Sequence, residues 1–285
     1  MDNPGEVKIH VLHCGTIRVS PNVVDIGRNT RLSNTAAQIL TPDSRCITLP
    51  VSAYLIEHQH GLILVDCGWR RDISPNGVYD EKAARALLSP QLAAFYRPVV
   101  EPGQAIHEQL AAMGIKPSGL ELVIITHLDP DHVSGVVHLH GARRIIVPED
   151  EYFWSCRTVY KMRQPWKLWI DEPIERVYYR GFPDVPNSWA VDIFGDGTLY
   201  MVNLPGHTDG MAGIVAVNGK RFALMCADAG FNRRSWEELI VPGFGFDEKR
   251  QLKSLEWVRD MSRRPGCAAV LASHDADIKP QIIKF

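Results

Sequence analysis

No two cysteines of this chain stand at C-x-x-C spacing. The six (14, 46, 67, 156, 226 and 267) lie far apart in 285 residues, which argues against a disulfide framework and for reduced, mostly buried thiols. A long basic run is also missing, since "RNTR" and "SRRP" are too short to track a phosphate backbone. The 31 basic and 33 acidic residues nearly cancel, to a formal net charge of -2, so nucleic acid is not an expected partner. No uninterrupted apolar stretch has the length of a membrane span. "MDNPGEVKIH" carries neither a basic n-region nor an apolar h-region. The expectation is a cytoplasmic protein that binds neither membrane nor nucleic acid. No fixed-period repeat, low-complexity tract or linker divides the chain, which reads as one domain over residues 1–285.

What is present is ample apolar material. Hydrophobic residues make up 45% and charged residues 22%, the balance of a globular protein with a sizeable core. "VKIHVLHCG" and "PVSAYLIEHQHGLILVDCG" are rich in β-branched residues, and the second breaks at "HQHG" as a hairpin does. Helical patterns follow in "EKAARALLSPQLAAFY" and "AIHEQLAAMGIKP", the latter stopping at Gly114 and Pro117. "LELVII" is a buried-type strand, and "RRIIVPEDEYF" begins as another. "TLYMVNLPGHTDGMAGIVAVNGKRFALMCADAG" reads as three strands, with a tight hairpin at Asn218-Gly219. "DEKRQLKSLEWVRDMSRR" is a helix with Asp247 as its N-cap and Leu252, Leu255 and Val258 on one face. "CAAVLASHD" is a last strand. Two groups of strands with helices between and after them predict a layered α/β sandwich. Residues 151–190, an aromatic-rich insertion, hold ten of the 24 aromatics. Such a stretch serves either as its own small core or as an apolar wall beside a pocket.

The chemistry is concentrated in "ITHLDPDHVSG", residues 125–135. His127 and Asp129 are two apart, so at a strand end they project to one side. Asp131 and His132 follow Pro130, which bends the chain out of the strand. Buried carboxylates crowded together repel without a cation, so four acceptor groups in six residues point to a metal. His207 in "NLPGHTDG", Asp228 in "LMCADAG" and His274 in "VLASHDAD" each end an apolar run. A layered sheet presents such groups at an edge crevice.

On these motifs the chain resembles the metallo-β-lactamase superfamily, and within it the N-acyl-homoserine lactonases. The likeness spans most of the chain. "LPVSAYLIEHQHGLILVDCG" is similar to the family's opening hairpin with its Asp66-x-Gly68 turn. "ITHLDPDHVSG" matches H-x-H-x-D-H in all but one ligand, and "LPGHTDG", "ADAG" and "SHD" follow in the family's order. The resemblance implies a four-layer αββα sandwich and two divalent ions. His127 and His207 would bind the first, with Asp129 in place of the family's histidine. Asp131, His132 and His274 would bind the second, and Asp228 would bridge both. Asp66 would stand behind the ligands. The implied chemistry is hydrolysis by a hydroxide held between the ions, with Asp131 and Asp228 at the reacting centre. A homodimer is admitted by the same resemblance.

Two positions depart from the family. Asp129 puts a third carboxylate in the centre, so two divalent ions and a hydroxide sum to zero charge, one unit less positive than with histidine. A weaker Lewis acid is expected. Zinc is the first expectation for the metal, and oxygen ligation at 129 also admits manganese or iron. Phe231 stands where the related lactonases have a tyrosine three residues after the bridging aspartate. Losing such a donor costs about 2–4 kcal/mol of transition-state stabilisation unless another takes over, and Tyr152 and Tyr160 are the candidates. The expected substrate is a small-molecule lactone or related ester, an N-acyl-homoserine lactone first, which would make the activity quorum quenching. The alternatives are a thioesterase or phosphodiesterase on the same fold, a di-iron redox protein like the flavodiiron proteins, or a non-catalytic ligand-binding member.

Overall fold

The computed structural model describes residues 6–25, 38–157 and 163–285. Two sheets face one another. The first is built from β1 (Lys8–Val19), β2 (Ile47–His58), β3 (Gly61–Val65), β4 (Leu120–Ile124), β5 (Ile145–Pro148) and β6 (Ile174–Val177) in that spatial order. The second contains β7 (Arg180–Gly181), β8 (Trp189–Asp192), β9 (Leu199–Asn203), β10 (Ala212–Asn218), β11 (Arg221–Ala227) and β12 (Cys267–Ala272), again in order. A final strand, β13 (Ile282–Lys284), returns to pair antiparallel with β1.

β4 shows why the layers form. Apart from Glu121 its residues are apolar and buried on both faces, as befits a strand paired in parallel with β3 on one side and β5 on the other. Leu122 and Ile124 turn inward, where they meet Met201, Ile214 and Met225 of the opposite sheet. Val123 and Ile125 turn outward beneath the helices Glu81–Leu87, Pro90–Tyr96 and Ile106–Ala112. Each such side chain contributes about 1.5–3 kcal/mol on burial. The outer face of the second sheet is covered by the helix Glu248–Ser262, whose Leu255, Val258 and Met261 pack on Val202, Val215 and Leu224. The order helix, sheet, sheet, helix is the expected αββα sandwich. No helix among the described residues is long and apolar enough to cross a membrane.

One local expectation needs correction. "EKAARALLSPQLAAFY" forms two helices, because Pro90 has no N–H for the helix to use and Ser89 caps the second one by accepting from the Leu92 N–H at 3.2 Å. "RRIIVPEDEYF" begins as a strand, as expected, and continues past Pro148 as the helix Glu149–Ser155. β13 escaped notice because three residues carry no readable period. The aromatic stretch serves chiefly as core: Trp154 and Trp169 are buried, whereas Tyr178 and Trp189 face solvent.

Candidate metal centre

Every expected ligand, and Asp66 behind them, sits just past the end of a strand. Asp66 follows β3, the segment 127–132 follows β4, His207 follows β9, Asp228 follows β11 and His274 follows β12. Backbone hydrogen bonds between the sheets pin two of these ends. Ala212 N–H donates to Thr126 O at 2.9 Å, beside His127, and Ser52 N–H donates to Ser273 O at 2.9 Å, beside His274. The short helix Pro130–Val133 turns Asp131 and His132 back toward the strand ends. Gly206 allows the helix Glu248–Ser262 to press against the turn before His207: a Cβ there would lie 2.2 Å from Gln251 N. Two non-glycine residues hold left-handed backbone at the site, Asp66 at φ 59° and Ala227 at φ 48°. Such strain persists only where the surrounding structure enforces it.

Tautomers follow from the bonding. Thr126 Oγ1 donates to Asp66 Oδ2 at 2.9 Å, so its contact with His127 Nδ1, also 2.9 Å, requires the ring to be the donor. The Nδ1–H groups of His132 and His274 reach Asp66 Oδ2 and Pro50 O, each at 2.8 Å. Three histidines therefore turn an Nε2 lone pair inward. His132 Nε2 faces Asp228 Oδ1 at 3.4 Å, and His274 Nε2 lies 3.2 Å from Asp228 Oδ2 and 3.4 Å from Asp131 Oδ2. His207 Nε2 lies 3.4 Å from Asp228 Oδ2 and 3.1 Å from Asp129 Oδ2. Asp228 thus lies between the two histidine groups. Within the cluster, His127 Nε2, His132 Nε2 and Asp228 Oδ1 have no hydrogen-bond partner. Buried lone pairs facing one another at such distances need a cation between them.

Single ligand atoms converge within 4.8 Å in three groups: His127, Asp129 and His207; His127, His132 and Asp228; Asp131, His132 and His274. The electrostatics agree. Burial works to lower the pKa of His132, but Asp228, Asp131 and Asp66 override it and hold the ring well above its ordinary value. His274 is raised by Asp228 and Asp131 against the same burial. Burial, with His132 beside it, drives His127 well below the usual range. Asp131 is pushed up to about 6 by burial. A cluster that draws protons onto some histidines and expels them from others is one in which a metal ion can replace the protons.

Asp66 fixes the orientation of His132 and, through Thr126, that of His127. Asp66→Asn keeps a residue that tolerates the left-handed backbone but turns an N–H toward His132 Nδ1 or loses the Thr126 contact. Metal affinity is expected to fall roughly 10–100-fold, measured by competition with a chelating dye.

Sequence reasoning missed four neighbours of the site. Arg163 grips Asp129, with Nε 3.0 Å from Oδ1 and 3.1 Å from Oδ2 and Nη2 2.6 Å from Oδ2. Burial works to raise the pKa of Asp129, but Arg163, His207 and His127 hold it well below the usual carboxylate range. Gln164 donates to Asp129 Oδ1 at 2.9 Å and to Glu151 Oε1 at 2.8 Å. Glu151, fully buried, also accepts from the Leu128 N–H at 3.0 Å and the Thr208 hydroxyl at 2.6 Å. Tyr96 lines the cavity at the site beside Asp129, Asp131, Asp228 and Phe231. Glu151 shares a helical face with Trp154 and Ser155, which could have flagged it as buried; Arg163 and Gln164 carry no such signal.

Phe231 is at the site, its ring 4.9 Å from that of His274. Tyr152 is a correction. It packs on Trp169 at 5.4 Å and on the helical core of the first sheet, and it does not line the cavity. Tyr160 lies outside the described residues. Asp209 pairs with Arg250.

The strand-end ligand cluster on two facing sheets defines a class of metal-dependent hydrolase. The model of the metallo-beta-lactamase superfamily matches residues 47–274, and the chain belongs to that family. It is 27% identical over 244 residues to the N-acyl homoserine lactonase AttM of Azorhizobium caulinodans, covering 83% of this chain and 86% of that protein. AiiB of Agrobacterium fabrum, also an N-acyl homoserine lactonase, is 33% identical over 151 residues, which cover 53% of this chain and 50% of AiiB. Among solved structures, a B. thuringiensis AiiA mutant with N-decanoyl-L-homoserine bound at its active site superposes with a TM-score of 0.72 at 21% identity. The match covers 95% of this chain and 94% of that one. AidC, a dizinc quorum-quenching lactonase, gives a TM-score of 0.63 at 16% identity, covering 99% and 95%.

Proposed function

We propose that this hydrolase opens a lactone ring, with N-acyl-homoserine lactones as the first substrate class. The observation that carries the reading is the set of three histidines whose Nδ1–H groups are bonded away, leaving Nε2 lone pairs turned onto buried carboxylates. The relatives named as lactonases supply the substrate class. Asp131, His132, Asp228 and His274 fit a divalent ion, zinc first, and His127, Asp129 and His207 form a second set of donors. When bound, the ion would polarise the lactone carbonyl and acidify a water. Manganese or iron fits the carboxylate-rich donor set as well.

The chain's own groups account for the rest. The cavity between Asp131, Asp228 and His274 has a volume of ≈ 20 Å³, room for a single water. Asp131 and Asp228 hold that water, and Asp131, whose carboxyl burial pushes up to about 6, takes its proton as oxygen adds to the carbonyl carbon. The ring C–O bond then breaks, and the proton passes to the departing alkoxide, giving a hydroxy acid. Ile17, Val19 and Phe244 form an apolar side to the cavity, which has to widen there to admit an acyl chain. Phe231 cannot donate a hydrogen bond, and Tyr96 is the cavity's phenol, so Tyr96 replaces the missing donor. Tyr96→Phe is expected to lower kcat/KM roughly 10²-fold with an unchanged melting curve; equal activity would remove Tyr96 from the reaction. The free cysteines suit a cytoplasmic setting.

The test is acid release in a pH-stat from acyl-homoserine lactones, simple lactones, thioesters and phosphodiesters, with zinc-loaded and manganese-loaded protein. One acid per lactone, with the other classes slow, is expected. Turnover confined to thioesters or phosphodiesters would refute the lactonase reading.

A further inference from the structure

We propose that the guanidinium of Arg163 and a metal ion at His127, Asp129 and His207 are alternative occupants of one place, so that the two sets of ligands differ greatly in affinity. The proposal rests on the metal-centre reading above and refines it. Arg163 does more than neutralise Asp129. Its Nη2 lies 2.8 Å from His207 Nε2, and its Nη1 donates to His207 O at 3.1 Å. The guanidinium therefore spans two of the three ligands that the first ion would need, Asp129 and His207. A zinc–nitrogen bond is about 2.0–2.1 Å long, so an ion on the His207 Nε2 lone pair would lie within bonding distance of the Arg163 nitrogen. The two cannot coexist.

The carboxylate is engaged as well as the ring's Nε2. A carboxylate offers about four lone-pair positions. On Asp129, Arg163 approaches through Nε and Nη2 and Gln164 through Nε2, while His207 Nε2 stands 3.1 Å from Oδ2. Arg163 is itself held, stacked 4.5 Å over the Phe244 ring, and only 14% of its side chain is exposed. It is a permanent cation, and one placed there supplies part of the positive charge that an ion would bring.

The other set is unencumbered. Among the described residues no lysine or arginine pairs with Asp131 or Asp228, whose ion-pair partners are histidines. His132 Nε2 and Asp228 Oδ1 are free of hydrogen bonds. One ion enters there without displacing a side chain. A second must dislodge Arg163 and leave that cation buried beside a divalent ion. A histidine at 129 would give Arg163 no anion to grip, which links this behaviour to the departure at Asp129.

The experiment titrates chelator-stripped protein with Zn2+ by calorimetry against a competing chelator, with metal counted by mass spectrometry after dialysis. The wild type is expected to bind one ion tightly and a second roughly 100-fold or more weaker. Arg163→Met should tighten the second ion roughly 10–100-fold, the span of effects of groups bonded to metal ligands, and leave the first unchanged. Two ions of comparable affinity in the wild type, or a second ion indifferent to Arg163→Met, would overturn the proposal. Failure of the wild type to bind any ion would overturn the metal-centre reading beneath it. If Arg163→Met does not fold, because Asp129 is left buried without a partner, the double variant Asp129→His/Arg163→Met removes that charge. It should bind two ions of similar affinity, and a single ion there would equally refute the proposal.

Discussion

His132→Ala is expected to lower lactone turnover by roughly 10³-fold or more, about 4 kcal/mol of transition-state stabilisation. No other side chain belongs to both the group with His127 and Asp228 and the group with Asp131 and His274. Its Nε2 faces Asp228 Oδ1 at 3.4 Å, and its Nδ1–H is held by Asp66 at 2.8 Å. Removing the ring therefore deletes a ligand from the unencumbered set and leaves two buried carboxylate oxygens without their histidine. Metal content and turnover should fall together while the circular dichroism spectrum stays native. A variant that keeps both its metal and its rate would show that the convergence of these groups has another purpose.

Glu151→Gln is expected to change stability, in a manner that depends on pH. Burial pushes the Glu151 carboxyl up to about 7, from an ordinary value of 4.5, despite donors from Thr208, Leu128 and Gln164. Between those values the folded protein holds a proton that the unfolded chain has released. The stability contributed by the raised pKa is complete below 4.5 and is lost as pH rises through 7. Above that, both states are ionised and the folded one carries a buried charge. Glutamine has no charge to bury. At pH 8 the variant should be more stable than the wild type by about 2–3 kcal/mol, and at pH 4.5 the two should be nearly equal. Chemical denaturation at several pH values measures this, and a difference independent of pH would show that the Glu151 carboxyl is ionised throughout.

The site was legible where ligands follow strands. "LELVIITHLDPDH" announces a buried strand and then crowds His127, Asp129, Asp131 and His132 beyond it, and the structure brings them together with His207, Asp228 and His274. Local periodicity carries that information. It does not carry the partners of Asp129, because Arg163 and Gln164 meet the site through long-range contacts that no pattern of residues 151–190 encodes. Tyr152, expected at the substrate, is instead used up in packing. The cavity's phenol comes instead from Tyr96, at the end of a helix whose Leu92 and Ala93 are also buried. The layer order was readable, but β13 and the break at Pro90 were fixed by contacts and by one ring rather than by periodicity.

The most direct test of the account joins metal to turnover in a single sample. Purified protein would be assayed for metal content and for hydrolysis of an N-acyl-homoserine lactone, then stripped with a chelator, then reloaded with zinc. Turnover should disappear on stripping and return on reloading in proportion to the ion bound. Undiminished lactone hydrolysis by protein shown to be free of metal would contradict it.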